Sequence, residues 1–220
     1  MPTPLTIPIL KKESAAFAEA ETRYQEPSLY GVTDGKKVGT YLEHKFRAYL
    51  QAKYEFEVGN SAAGIDFPGL GVDMKVTSVR QPQSSCPFKS ARQKIYGLGY
   101  DLLVFVYDKT DDPSTETANL TILHVLYIED NHTADFITSR GVLAILDNEG
   151  NEDDLVAFME DRNLPVDEIE ARNLAQQILA DPPTQGYLTI SNALQWRLQY
   201  GRAIGVAGTV AGVHAVLKSP

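Results

Sequence analysis

The sequence has little of what secreted, membrane-spanning or disulfide-bonded proteins require. Among its 220 residues Cys86 is the single cysteine, which excludes an internal disulfide framework and a zinc site with several cysteines. The longest unbroken apolar run, positions 102–107, is far shorter than the ~20 residues of a membrane span. Positions 1–10 lack a basic region followed by an apolar core, so we expect no secretory signal. The sequence therefore predicts a soluble, cytoplasmic protein without a membrane partner.

Acidic and basic residues are unevenly distributed along this chain, whose formal net charge is −9. Residues 1–109 hold 14 Lys and Arg against 12 Asp and Glu, whereas residues 110–220 hold 6 against 17. Positions 74–100 carry five cations and no acid, and positions 147–170 carry ten acids and one arginine. By itself this pattern is typical of a solvated acidic face beside an ordinary basic loop. The motif that precedes the basic segment decides between that interpretation and a functional one.

Hydrophobic periodicity predicts an α/β protein with a mixed sheet flanked by helices. In the first half we expect helices over 11–24, 38–50 and 90–96, and strands over 54–58, 72–79, 102–107 and 120–128. The run 102–107 is apolar on both faces, as in a central strand covered by helices. The second half is predicted to be mainly helical, with helices over 133–146 (capped by Asn131), 152–162, 165–180 and 191–200, and a strand over 187–190.

Asp66 and Asp73 are predicted to face each other across a tight hairpin. If the four residues after Phe67 form the loop, Phe67 pairs with Val72 and Asp66 lies opposite Asp73. Side chains alternate along a strand, so Asp73 shares a face with Lys75. Opposed carboxylates with Cβ atoms roughly 5 Å apart repel each other unless a cation lies between them. Lys75 is one such cation, and Mg²⁺ is another, because it binds through one or two carboxylates and keeps several waters.

An exposed hairpin with a weak surface ion pair between Asp73 and Lys75 is the structural alternative. The opposed Asp66, the apolar residues on the alternate face and the basic segment that follows favour a functional site. Positions 64–68 (GIDFP) and 72–78 (VDMKVTS) resemble the signature of the PD-(D/E)xK nuclease superfamily, and are closest to type II restriction endonucleases. The resemblance covers about positions 38–107, and Ile65 stands where the family motif has proline.

The resemblance implies metal-dependent phosphodiester hydrolysis and assigns a role to each site residue. Asp66 and Asp73 would hold one or two Mg²⁺ ions, and Lys75 would orient the attacking water and stabilise developing negative charge. Glu43, on the helix before the hairpin, matches the family's helical glutamate as a further metal ligand; the alternative is a solvent-facing helix residue. Gln93 matches a glutamine that some branches of the family place near the site.

The basic segment after the catalytic strand would neutralise backbone phosphates of DNA. The candidates for DNA contact in this segment are Arg80, Lys89, Arg92, Gln93 and Lys94. For base readout, the helix expected over 191–200 offers Gln195 and Arg197. There are two alternatives: either the polar residues of that helix face water, or the readers lie in the loop 81–85 instead.

Together these inferences predict a Mg²⁺-dependent type II restriction enzyme, a site-specific deoxyribonuclease that cleaves both strands of duplex DNA as a homodimer. We expect an α/β fold in one nuclease domain over 1–220. Its restriction-endonuclease-like core would span about 36–128, and a helical region for dimerisation and DNA recognition would span about 131–220. The alternatives are a structure-selective repair or recombination nuclease of the same superfamily and a non-catalytic DNA-binding module.

Overall fold

The chain divides into two compact units. The structure, a computed structural model, describes residues 3–59, 64–86, 90–191 and 196–218. The first unit comprises the described residues of Met1–Ser84, Leu102–Tyr127 and Ala207–Pro220, and the second those of Ser85–Asp101 and Ile128–Val206. The described part of the chain contains no helix with the length and apolar character that crossing a membrane requires.

The helices and strands are numbered in chain order. Those before residue 100 are β1 (Thr3–Pro4), α1 (Ile7–Thr22), β2 (Gln25–Glu26), α2 (Gly35–Gln51), β3 (Tyr54–Glu55), β4 (Val72–Ser78), β5 (Gln83–Ser85) and α3 (Ala91–Tyr96). Those that follow are β6 (Asp101–Asp112), β7 (Thr117–Ile128), α4 (Phe136–Asp147), α5 (Glu152–Asp161), α6 (Glu168–Ala180), β8 (Thr189–Ser191), β9 (Arg197–Gln199), α7 (Gly201–Val206) and β10 (Val213–Lys218).

The first unit is built on a sheet in which β10, β7, β6 and β4 lie side by side in that order. A short fifth strand, β2, pairs antiparallel with β7, and β1 and β3 form a separate parallel pair. The five residues from Leu102 to Val106 in β6 are fully buried, as predicted for a central strand. The mixed sheet and its helices confirm the predicted α/β class.

Helix α2 packs an apolar stripe against α1 and the sheet. Its buried apolar side chains recur every four residues and are Val38, Leu42, Phe46 and Leu50. The ring of Phe46 lies 5.0 Å from that of Phe17 on α1 and 5.1 Å from that of Phe105 on β6, measured between centroids. This aromatic cluster fixes α2 relative to the sheet, and so fixes which of its polar side chains point towards β4.

The second unit is mainly helical. Helices α3 to α6 share one apolar core, which includes Ala91, Ile95, Val142, Leu155, Met159, Leu174 and Ile178. The predicted cap of the helix after β7 is wrong, because Asp130–His132 form a separate 3₁₀ turn and α4 begins only at Phe136. Asp135 caps α4 instead, since its Oδ1 accepts hydrogen bonds from the backbone N–H and the hydroxyl of Thr138, at 2.9 and 2.7 Å.

The predicted helix over 191–200 is also wrong where the structure describes it. Arg197 lies on strand β9, which pairs antiparallel with β8. Trp196, Leu198 and Tyr200 are buried, whereas the residues between them are partly exposed. This two-residue alternation is the period of a strand with one buried face, not that of a helix. Arg197 is therefore not part of a DNA-reading helix.

Candidate active site

The tight turn predicted before β4 is present, with the predicted pairing. Phe67 and Val72 form an antiparallel bridge: the N–H of Phe67 donates to the carbonyl of Val72 at 2.9 Å, and the N–H of Val72 donates back at 3.3 Å. Pro68–Leu70 form one 3₁₀ turn, and Gly71 closes it with φ of 65°, a left-handed conformation that glycine adopts without steric strain. The predicted pairing of Phe67 with Val72 is therefore confirmed, and Asp66 and Asp73 are the next residues outward from this pair.

Asp66 is held by donors from two different elements. Its Oδ2 accepts the backbone N–H of Met74 on β4 at 3.0 Å. Its Oδ1 accepts a hydrogen bond from Nη2 of Arg47 on α2 at 2.7 Å. The carboxylate is thus tied both to strand β4 and to helix α2, which packs on it.

Asp73 and Lys75 lie on one face of β4 and form an ion pair. The Nζ of Lys75 is 2.6 Å from Oδ2 of Asp73, and the Asp73 side chain is only 3% exposed. Burial raises the pKa of Asp73 to about 6, and the negative charge of Asp66 adds to this effect while the ammonium of Lys75 opposes it. The raised pKa reflects two carboxylates packed closely in a poorly solvated place.

Glu43 reaches the same group of charges from α2. Burial raises the pKa of Glu43 to about 7; Asp66 and Asp73 raise it further, whereas Lys75 and Arg47 lower it. A Cβ atom placed on Gly39, one helical turn before Glu43, would lie 3.9 Å from Cβ of Val76 on β4. This close approach of helix and strand brings Glu43 into the electrostatic reach of the hairpin, so its side chain does not simply face solvent.

Arg47 is a member of the site that the sequence interpretation missed. It lies four residues after Glu43, and residues four apart share a helix face. Once Glu43 is directed towards the hairpin, this spacing predicts that Arg47 is too. Three carboxylates and two cations therefore gather around the turn: Glu43, Asp66, Asp73, Arg47 and Lys75.

The side chains of this cluster supply carboxylate oxygens, the ligand type that Mg²⁺ prefers. Among the described residues they do not supply a full set of protein ligands. Among the residues that the structure describes, no three His, Cys, Asp or Glu side chains are arranged to hold one ion together. The opposed pair Asp66 and Asp73 remains the metal-ligand candidate. Two carboxylates suit Mg²⁺, which completes its octahedron with waters and substrate phosphate.

Two of the basic residues proposed for DNA contact present their charge at the surface. The Arg80 side chain is 75% exposed, and its Nε lies 3.3 Å from Oδ1 of Asp108. Arg92 on α3 is exposed, with its guanidinium 4.9 Å from the ring centre of Tyr96. Both therefore have N–H groups available to a phosphate.

The remaining DNA-contact candidates are placed differently. Lys94 is 6% exposed, its Nζ lies 5.6 Å from the ring centre of Trp196, and burial lowers its pKa. Gln93 is half-buried, and its Oε1 has no hydrogen-bond partner among the described residues. Lys89 and Gln195 lie outside the described residues, so their predicted contacts stay predictions.

The α/β core and the two aspartates and lysine gathered on a hairpin agree with the class of nuclease that the sequence motifs resemble. Comparison with known proteins is more specific. Residues 4–215 match the family model of the type II restriction enzyme NspV. The chain is 65% identical over 217 residues to the type II restriction enzyme NspV of Nostoc sp. (strain ATCC 29411 / PCC 7524), and the match covers 99% of each chain.

The chain belongs to the NspV family of type II restriction enzymes. This membership confirms the predicted class, a site-specific type II restriction endonuclease. No solved structure matches the chain.

Proposed function

We propose that this chain hydrolyses phosphodiester bonds in both strands of duplex DNA with Mg²⁺ held by Asp66 and Asp73. Family membership supports the reaction class, and the hairpin supports the choice of residues. The observation that carries the proposal is the Phe67–Val72 pairing, because it sets the two carboxylates and Lys75 around a single turn.

The charges around the hairpin fit a bound dication. Oδ2 of Asp73 is buried and accepts no hydrogen bond among the described residues, because its ion pair with Lys75 is close in distance but not aligned as a hydrogen bond. A buried carboxylate next to a second carboxylate is destabilised when it ionises, as the raised pKa of Asp73 shows. A divalent cation between Asp66 and Asp73 would remove this repulsion and use the free lone pairs.

Each residue of the site would have a different role in hydrolysis. When bound, Mg²⁺ would polarise the scissile phosphate and lower the pKa of a coordinated water. Lys75, whose side chain is 22% exposed, has three ammonium hydrogens, and its ion pair with Asp73 leaves some of them available. They would orient the attacking water and stabilise the negative charge that develops on the non-bridging oxygens. Asp73 holds the ammonium in place for both tasks.

Glu43 would act from the helix side of the site. A carboxyl group whose pKa is raised to about 7 is only partly ionised near neutral pH in the metal-free protein. A dication nearby favours the ionised form, and that form would hold a metal-bound water rather than the metal itself. This assignment agrees with the absence of a three-carboxylate cage among the described residues.

DNA would lie against the basic residues that follow β4. Arg80 and Arg92 are exposed and would contact backbone phosphates, and Lys89 would join them. Lys94 would first have to leave its buried position against Trp196, so we expect it to contribute less than Arg92. The acidic segment 147–170 would repel the DNA backbone and so disfavour wrong orientations.

Two copies of the chain would form the working enzyme. A single hairpin site cuts one strand at a time, whereas a twofold dimer sets one site on each strand of a palindromic sequence. Sedimentation of the purified protein at micromolar concentration, with and without DNA, tests this part. A single 24.2 kDa species in both conditions would contradict it.

Digestion of a long DNA of known sequence tests the proposed function. With Mg²⁺ we expect discrete fragments whose mapped ends share one sequence, and with EDTA no cleavage. Asp66→Asn and Asp73→Asn should each abolish cleavage at all Mg²⁺ concentrations. Asp112→Asn is the control, because Asp112 lies at the end of β6 and its hydrogen bonds among the described residues are local, to Ser114 and Thr115. Full activity of Asp73→Asn would contradict the site, and fragments without a common end sequence would contradict sequence-specific cleavage.

A further inference from the structure

Arg47 makes the shorter of the two described hydrogen bonds to the side chain of Asp66. Its Nη2 lies 2.7 Å from Oδ1 of Asp66, and the side chains of both residues are mostly buried, at 23% and 19% exposed. A guanidinium donor on a carboxylate at this distance is a charge-assisted hydrogen bond. It joins a helix residue to the candidate metal ligand on the hairpin.

The two hydrogen bonds of Asp66 fix its carboxylate plane. One oxygen accepts from Arg47 and the other from the backbone N–H of Met74. The donors come from α2 and β4, which are different elements, so the side chain cannot rotate without breaking one bond. Each carboxylate oxygen has two lone pairs, and one lone pair on each remains for a metal.

The rest of the Arg47 guanidinium is not satisfied in the same way. Its Nε is buried and has no hydrogen-bond partner among the described residues. A buried donor without a partner is unfavourable for folding. The side chain therefore lies where it serves Asp66 rather than where its own donors are best bonded, which is more typical of a functional contact than of a stabilising one.

We propose that Arg47 is a positioning residue that holds Asp66 in the orientation that binds the divalent metal. The inference rests on the proposed function, because it takes Asp66 as a metal ligand. Partners that hydrogen-bond to a metal ligand and fix its orientation typically change metal affinity by about 10- to 100-fold when removed. Arg47 also offsets the repulsion between Asp66 and Asp73 before the metal arrives.

Lys45 supplies a matched control on the same helix. Its Nζ lies 2.8 Å from Oε2 of Glu21, a carboxylate that is 4% exposed, so it too forms a largely buried ion pair. Glu21 lies on α1 and is no candidate metal ligand. A merely structural role of Arg47 would make Arg47→Ala behave like Lys45→Ala, with lower stability and unchanged metal binding.

The experiment is a titration of the full chain with Mn²⁺, in which electron paramagnetic resonance measures the free ion. We expect the dissociation constant for Mn²⁺ to rise about 10- to 100-fold in Arg47→Ala. It should rise less in Arg47→Lys, which keeps the charge and one donor, and stay unchanged in Lys45→Ala. In cleavage assays the Mg²⁺ concentration for half-maximal rate should rise by a similar factor, while kcat at saturating Mg²⁺ changes much less. Circular dichroism establishes that each variant is folded, and Arg47→Gln replaces Arg47→Ala if the latter is not.

Three results would overturn the inference. Equal Mn²⁺ affinity of Arg47→Ala and the parent protein would show that Arg47 has no positioning role. Tighter binding by the variant would show that Arg47 competes with the metal rather than preparing its ligand. A loss of kcat that saturating Mg²⁺ leaves unchanged would place Arg47 in the chemical step. In contrast, a parent protein that neither binds Mn²⁺ nor cleaves DNA with Mg²⁺ would contradict the proposed function itself.

Discussion

The ammonium of Lys75 lies 2.6 Å from a carboxylate oxygen of Asp73, two residues earlier on the same face of β4. The strand period produces this pairing locally, and the hairpin adds Asp66 from the opposite side. The described residues include a second ion pair with this spacing, between Lys109 and Asp111 on β6. That second pair lies on a different strand, so it allows the role of Lys75 to be separated from strand stability.

Lys75→Ala should remove cleavage and leave DNA binding intact. Loss of one preorganised donor to the reacting phosphate lowers kcat by about 100-fold or more. Single-turnover cleavage rates at saturating enzyme measure the effect, and gel shifts with Ca²⁺ in place of Mg²⁺ measure binding. Lys109→Ala removes the matched ion pair and should cleave like the parent protein. A Lys75→Ala variant within a few-fold of the parent rate would exclude the catalytic role.

The stability of the metal-free protein should fall as pH rises from about 5 to 8. The pKa of Glu43 is raised from 4.5 to about 7 in the folded state, so between these values the folded protein holds a proton that the unfolded chain releases. Its stabilising contribution is complete below about pH 4.5 and is lost as pH rises through about 7. In thermal melts with EDTA, the melting temperature of Glu43→Gln should therefore fall less between about pH 5 and 8 than that of the parent protein.

Asp73 provides an internal comparison for this pH dependence. Its pKa is raised from 3.8 to about 6, so Asp73→Asn should remove the dependence over a lower range, about pH 4 to 6. Added Mg²⁺ should restore stability at pH 8 in the parent protein, because it offsets the repulsion between ionised carboxylates. If the melting temperatures of the parent protein and of both variants changed by the same amount with pH, the site carboxylates would be shown to be well solvated.

Arg92→Ala should weaken DNA binding to specific and nonspecific duplexes alike. A lost phosphate contact reduces the slope of log affinity against log salt by about 1 without changing sequence preference. Fluorescence anisotropy over a range of salt concentrations measures this slope. Arg162 is the control, since its guanidinium also stacks on an aromatic ring, that of Phe158 at 5.5 Å, but in the acidic segment. An equal change in slope for both variants would mean that Arg92 contributes only to net charge.

Glu13 should be a major stabilising residue of the first unit. It accepts hydrogen bonds from Tyr49 at 2.6 Å, Lys53 at 2.7 Å and Tyr54 at 2.8 Å, and so ties α1 to the end of α2 and to β3. We expect Glu13→Gln to lower the free energy of unfolding by about 1–3 kcal/mol at pH 7 in urea denaturation. Glu19→Gln, on the exposed side of the same helix, should change it by less than about 0.5 kcal/mol.

The difference between these two variants should depend on pH. The hydrogen bond from Lys53, followed by that from Tyr49, lowers the pKa of Glu13 to about 2. The contribution of Glu13 is therefore complete above about pH 4.5 and is lost as pH falls through about 2. The parent protein and Glu13→Gln should converge in stability near pH 2. A constant difference from pH 7 to pH 2 would show that the Glu13 charge is not responsible.

Those parts of the site that depend on neighbours in the chain can be predicted from the order of the residues alone. The alternation of a strand places Asp73 and Lys75 on one face, and a four-residue turn with glycine at its end sets Asp66 opposite Asp73. Both relations involve short chain separations, so backbone geometry fixes them with little help from packing. The same two-residue alternation of apolar and polar residues is present at 196–200 and is typical of a strand, which is what the structure shows for Arg197–Gln199.

The relations that depend on burial and on distant partners follow from how the helices and strands pack. The contact of Arg47 with Asp66 requires α2 to lie close on β4, which the aromatic cluster of α2 with α1 and β6 enforces. Lys94 is a lysine in a basic segment, which is typical of DNA contact, but its side chain is buried against Trp196, about a hundred positions away in the chain. Residue type states which charges a side chain can offer. Long-range packing determines how exposed to solvent each charged group is and which partner it contacts. These two factors decide its role.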